Sequence, residues 1–245
     1  MISFGNRRRT AALALFLLSA SLLATAAKKS TSNEKVIDSG TFVVTIKGKQ
    51  VATEKFEIVQ MQDMSVARAE LRVDDGSKEQ KAELQMASNG NLIRYIWKQE
   101  GKGEAVVEPK DEFLVEHVSL SDSNKKAEQP FVLPTSTLIL DDGFFSQREL
   151  LLWRYLATSC QPKQGQPGCT LPSQQYGAIV PRQQNSVQVT VDYKGSQKIN
   201  IKGVDMDLQR FTLSGEGFNW TVWIDSQYKI QKIAIDDEST EIYRQ

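Results

Sequence analysis

From Val36 to Val118 apolar residues recur at every second position in short runs, and each run ends at a turn signal. A period of two sends alternate side chains to opposite faces of a strand, so the segment reads as consecutive antiparallel strands and not as strand–helix–strand units. Phe42, Val44 and Ile46 share one face of a first strand, Gly48-Lys49 turns the chain, and Phe56 and Ile58 answer on the next. Ala67, Ala69, Leu71 and Val73 run up to the Asp74-Asp75-Gly76 turn, and Ala82, Leu84 and Met86 return to Asn89-Gly90, a strong hairpin signal. Leu92 to Trp97 is apolar at both parities, which predicts a strand covered on both sides. Ala105 to Glu108 and Phe113 to Leu120 follow, and Ser121 to Gln129 reads as a polar linker.

The middle of the chain changes period. Ser146-Gln-Arg-Glu149 has the form of a capping box, in which the Ser146 hydroxyl bonds the N–H of Glu149 and Glu149 reaches back to the N–H of Ser146. Phe145 and Leu150 are placed as a hydrophobic staple around it, which predicts a helix over 147–158. Leu151, Leu152, Tyr155 and Leu156 lie on one side and Leu150 and Trp153 on the other, so the helix is apolar nearly all round and is either buried between layers or meets a partner or ligand. Strand alternation then resumes at Tyr176 to Val180 and at Val187, Val189, Val191 and Tyr193, with a turn expected at Gly195-Ser196. Further runs at Leu208 to Leu213, Phe218 to Ile224, Ile230 to Ile235 and Glu241 to Tyr243 complete about a dozen strands. The expected fold is mainly β: one large curved antiparallel sheet, a half-barrel or open barrel, with the helix packed in its concave face.

The N-terminus has a different character. Arg7-Arg8-Arg9 precede an apolar run of 13 residues, Ala11 to Leu23, followed by Ala24-Thr25-Ala26-Ala27. That order predicts a signal peptide over 1–26 cut after Ala26, with an uncleaved anchor and a twin-arginine leader as alternatives. A flexible segment 27–38 and a single domain 39–245 would follow, in the periplasm or secreted. No Cys stands at the cleavage point to carry lipid. Losing the three arginines leaves 27 basic against 30 acidic residues, a net charge near −3, which points to neither nucleic acid nor an anionic membrane surface as partner.

Cys160 and Cys169 enclose a Gln-, Pro- and Gly-rich loop and, in an exported chain, suggest a disulfide that pinches it off. A zinc site would need ligands close by, but the one His, His117, is remote in sequence, and a redox pair would normally be Cys-x-x-Cys. Catalytic patterns are equally thin. There is no Gly-x-Ser-x-Gly elbow, His117 reads as a strand residue facing solvent or a neighbour, and Asp74-Asp75, Asp141-Asp142 and Asp236-Asp237 read as turn chemistry sooner than as glycosidase acids. No cofactor or metal is implied. The aromatics Trp97, Phe144, Phe145, Trp153 and Trp220, with Leu150, form either core or the lining of a cavity between sheet and helix.

Gly40-Thr-Phe42-Val-Val44 leading into a hairpin, Phe131-Val-Leu133-Pro134 before the helix, and Trp223-Ile-Asp225 with Ile230-Gln-Lys-Ile233 near the end resemble the exported bacterial DUF3108 proteins, and more loosely the lipoprotein carriers LolA and LolB. The resemblance implies a half-barrel with a helix in its concave face, in the cell envelope, and carries no site residues with it. The expected function is therefore non-enzymatic binding of a hydrophobic molecule or apolar segment, such as a lipid. The alternatives are an adaptor in an envelope complex that uses exposed strand edges and the Gln- and Pro-rich loop near Cys160 to Gln184, and, third, a hydrolase of envelope polymers.

Overall fold

The computed structural model describes residues 34–121, 126–162, 169–235 and 239–245; the expected leader, residues 163–168 of the cysteine loop and Asp236-Asp237 lie outside the described residues. Eight strands form a first meander: β1 (Lys35–Ile46), β2 (Lys49–Gln60), β3 (Met64–Val73), β4 (Gln80–Ala87), β5 (Leu92–Gln99), β6 (Gly103–Lys110), β7 (Phe113–Leu120) and β8 (Lys126–Phe131). The short β9 (Leu138–Ile139) and the helix α1 (Ser146–Ser159) follow, and β10 (Gln161–Pro162) pairs with β11 (Cys169–Thr170) in a separate ribbon. A second meander comprises β12 (Gln174–Val180), β13 (Asn185–Ile201), β14 (Val204–Gly215), β15 (Phe218–Ile224), β16 (Ile230–Ile235) and β17 (Thr240–Arg244).

The two meanders join through β1 and β17. β1 pairs antiparallel with both β2 and β17, giving one 15-stranded sheet with β8 at one edge and β9, parallel to β12, at the other. Yet β8 and β9 are consecutive in sequence. The chain from Phe131 to Leu138 can reach about 25 Å at full extension, whereas a flat sheet of this many strands would be about 65 Å wide. The connection is possible only because the sheet curls, and it crosses the start of β5, where the Leu92 N–H donates to Thr135 O at 2.7 Å.

Inside the curve the alternating residues form one continuous apolar cluster, and α1 packs into it. The inner face of β2 to β6 is rich in alanine, at Ala52, Ala67, Ala69, Ala82 and Ala105, all buried. Small side chains there allow the helix and the loop before it to come close; a Cβ built on Gly143, at φ 76°, would lie 2.7 Å from Leu71 Cδ2. The outer face carries cross-strand ion pairs instead: Arg68 with Glu57 and Glu83, and Lys81 with Glu70. Among the described residues no helix is long and apolar enough to cross a membrane.

Several sequence expectations change here. β1 starts at Lys35, ahead of the expected domain start at residue 39, and Asp38 within it is buried. β5 is covered on one side only: Tyr95 and Trp97 are buried, while Ile93 is 38% exposed and Ile96 lies among the lysine stems of the outer face. The expected turn at Gly195-Ser196 is a register shift inside the unbroken β13, absorbed by Gly195 at φ 91°. Part of the expected linker Ser121 to Gln129 is β8, an edge strand whose exposed Lys126, Glu128 and Pro130 satisfy a position paired on one side only.

Candidate functional site

α1 starts where it does because of a residue far away in sequence. Glu54 sits on the inner face of β2 between Ala52 and Phe56 and is fully buried. Its carboxylate accepts from the backbone N–H of Phe145 at 2.6 Å and of Ser146 at 3.2 Å, and from the Ser146 hydroxyl at 2.6 Å. The capping box is thus replaced. The Ser146 hydroxyl donates to Glu54, and Glu149 turns away to accept from the Ile230 N–H at 2.8 Å and from Arg244 Nη1 at 3.0 Å. A tertiary carboxylate supplies negative charge to the positive end of the helix more fully than the local serine can. Burial raises the Glu54 pKa to about 7, against the opposing pull of the Ser146 and Phe145 hydrogen bonds.

Arg244 extends this arrangement to β1, pairing with Asp38, which also meets Lys229 at 2.8 Å. Burial pushes Glu149 up to about 9, with Asp38 beside it adding to the effect. Burial also acts to raise Asp38, but hydrogen bonds from Glu149, Arg244 and Lys229 outweigh it and hold Asp38 below its usual range.

A second polar cluster lies on the other side of the helix start. Asp141 is fully buried, accepts from Tyr95 Oη at 2.5 Å, and takes Arg182 Nε at 2.9 Å. Arg182 Nη1 and Trp97 Nε1 both donate to Gln80 Oε1, at 2.7 and 3.1 Å, and the guanidinium lies over the Trp97 and Phe144 rings. Asp141 is therefore a core ion-pair acceptor standing directly before the expected turn at Asp142-Gly143, while Asp75 caps its turn by accepting from the Ser77 N–H. Nearby Glu116 on β7 is fully buried with neither oxygen hydrogen-bonded, and burial, then the Asp141 charge, push it up to about 8.

A cleft of about 570 Å³ opens beside the helix start, between β1, β12 and the strands β13 to β16. Val44, Leu140, Val180, Val189 and Leu213 are its buried walls, Phe145, Phe218 and Trp220 its aromatic lining, and Asp142, Gln183, Asn185 and Glu216 its exposed rim. Arg148 also lines it, with its guanidinium 4.7 Å from the centre of the Trp220 ring.

The six residues expected to line one cavity divide among separate places. Phe145 and Trp220 meet in the cleft, at 6.4 Å between ring centres. Trp97 and Phe144 flank Arg182 in the core, Leu150 borders a crevice of about 10 Å³, and Trp153 lies on the far part of the helix, donating to Tyr228 O at 2.7 Å. Of the charged members, Glu54, Glu116, Arg148 and Arg182 have no place among the sequence-predicted site residues, and Asp141 reads there as turn chemistry. Glu54 and Glu116 carried a signal nonetheless, since each occupies a position whose neighbours two residues away are core: Ala52 and Phe56, and Leu114.

His117 is half-buried on β7 between Glu108 and Glu128, at 3.9 and 3.8 Å. Among the described residues no group of three or more His, Cys, Asp or Glu side chains could hold a metal ion. No described cysteine is free; the Cys169 side chain lies outside the described residues. Compared with protein-family profiles, curated proteins and solved structures, the chain matches none.

Proposed function

We propose that this is an exported binding protein of the cell envelope that holds an apolar molecule in the cleft between α1 and the second meander. The observation that carries the reading is the cleft itself. It has a volume within the roughly 300–1,000 Å³ range of small-molecule sites, apolar walls and a polar rim. The leader-like N-terminus and the resemblance to envelope half-barrels support the same assignment. The adaptor reading finds less support, because the exposed edge β8 carries Lys126, Glu128 and Pro130, residues that discourage strand addition. Enzymatic turnover is not part of the reading.

Native mass spectrometry with solvent extraction, on protein taken from its own compartment without detergent, tests it. An apolar molecule at fixed stoichiometry is the expected result, together with an N-terminus at Ala27 and the two-proton loss of a Cys160–Cys169 bridge. A bare polypeptide that also fails to take up any apolar probe would overturn the binding role.

A further inference from the structure

Arg148 sits in the first turn of α1 and is 3% exposed. Its Nη1 donates to Asp141 O at 2.5 Å and Phe144 O at 2.9 Å, and its Nη2 to Leu140 O at 3.3 Å. Every one of these acceptors is a neutral carbonyl, and Nε has no partner. Asp142, Asp141 and Glu54 act on Arg148 only from beyond ion-pair contact; their oxygens bond Gln183 Nε2 at 2.7 Å, Arg182 with Tyr95, and the helix start, respectively. A guanidinium does not give up its proton in a protein, so this is a buried positive charge with no carboxylate in direct contact, at the wall of an apolar cleft.

We infer that the cleft takes a single-chain amphiphile with a singly charged anionic head, a carboxylate in the simplest case, whose oxygen accepts from Arg148 Nε. The inference rests on the binding reading above and names its ligand class. Trp220 stacked on the guanidinium fixes the plane in which the head must approach, and Phe145 lies against the same group at 5.9 Å. Val187, Val189 and Leu213 offer the tail an apolar bed. The exposed Asp142 and Glu216 on the rim disfavour a polyanion, whose further charges would remain near them. A purely structural Arg148, tying down the loop before the helix, would use its Nη atoms alone and would leave the cleft indifferent to head-group charge.

Titration of the purified protein at mildly alkaline pH with dodecanoate, dodecan-1-ol and dodecyltrimethylammonium, followed by tryptophan fluorescence and calorimetry, decides between these. The acid should bind about tenfold tighter than the alcohol or more, the increment of a hydrogen bond to a charged group, and the ammonium most weakly. Arg148→Met should bring acid and alcohol to the same affinity, and Val187→Trp should weaken both alike. Equal binding of acid and alcohol by the unaltered protein overturns the anchor and leaves the cleft reading standing; binding of none of the three overturns both. The head-group comparison on the unaltered protein keeps the test decisive if Arg148→Met fails to fold.

Discussion

Glu54 Oε1 lies 2.6 Å from the Ser146 hydroxyl across 92 residues of sequence, and this contact sets where the only described α-helix begins. The carboxylate replaces a local cap and fastens the helix to β2. Glu54→Leu should therefore cost more than an ordinary cap deletion, because the buried Phe145 and Ser146 N–H groups would each lose their acceptor, at about 1–3 kcal/mol apiece. Glu54→Gln keeps one acceptor oxygen and should fall well short of that loss. Urea unfolding of the two variants checks the order; equal losses would mean that shape, and not hydrogen bonding, is what Glu54 contributes.

Glu116 predicts the direction of the pH dependence. It is fully buried without a partner, and its pKa rises from 4.5 to about 8. Below pH 4.5 both folded and unfolded chains hold the proton, and the stability is complete. As pH climbs toward 8, the unfolded chain releases the proton and the folded one keeps it, so stability falls by about 1.4 kcal/mol per pH unit for this one group. Glu54 and Glu149 act with the same sign, up to about 7 and about 9, while the lowered Asp38 works oppositely and only toward acid pH. Thermal melts should thus show a lower Tm at pH 9 than at pH 6, and Glu116→Gln should flatten that decline and stabilise the protein at pH 9. An unchanged slope in the variant would show that Glu116 reaches water in the folded state.

These two residues also mark how far the sequence could be read. Alternation identified the inner faces of β2, β3 and β4 because burial on one side of a strand leaves its period in the chain. It misjudged β5, since Ile93 and Ile96 can lie outward beside long lysine and arginine stems at little cost. Gly195 reads as a turn in the sequence because a left-handed glycine serves a bulge as well as a hairpin. The site was less legible still. Arg148, Arg182 and Asp141 find their partners through the curl of the sheet, and contacts such as Gln80 to Arg182, 102 residues apart, have no local signature.

Gly143 offers a test of how tightly the loop before the helix is held against the sheet. Its φ of 76° disfavours any side chain, and a Cβ would meet Leu71 Cδ2 at 2.7 Å; Gly90 has a similar φ of 81° with open space around it. Gly90→Ala should cost only the backbone strain, about 1–2 kcal/mol. Gly143→Ala should add an overpacking penalty of similar size or larger, which the difference between the two variants isolates in chemical denaturation. Equal costs would mean that Leu71 swings aside freely.

The penultimate residue should matter as much as any in the core. Arg244, 9% exposed at its side chain, stands between the carboxylates of Asp38 and Glu149, one on the first strand and one on the helix. Arg244→Met leaves two buried acids facing each other with only Lys229 nearby, and breaking a buried pair in this way costs about 3–5 kcal/mol. The penalty should depend on pH. Near neutrality Asp38 is ionised while Glu149, raised to about 9, holds its proton, so the variant leaves the buried Asp38 charge without its guanidinium; only well below pH 4, where Asp38 itself takes a proton, does that charge vanish. Unfolding of the variant should therefore differ from that of the parent far less at pH 2.5 than at pH 8. A penalty that stays constant across that range would show that Arg244 contributes through its packing on Phe42 and Phe56, whose rings lie 5.7 and 5.1 Å from its guanidinium, and not through its charge.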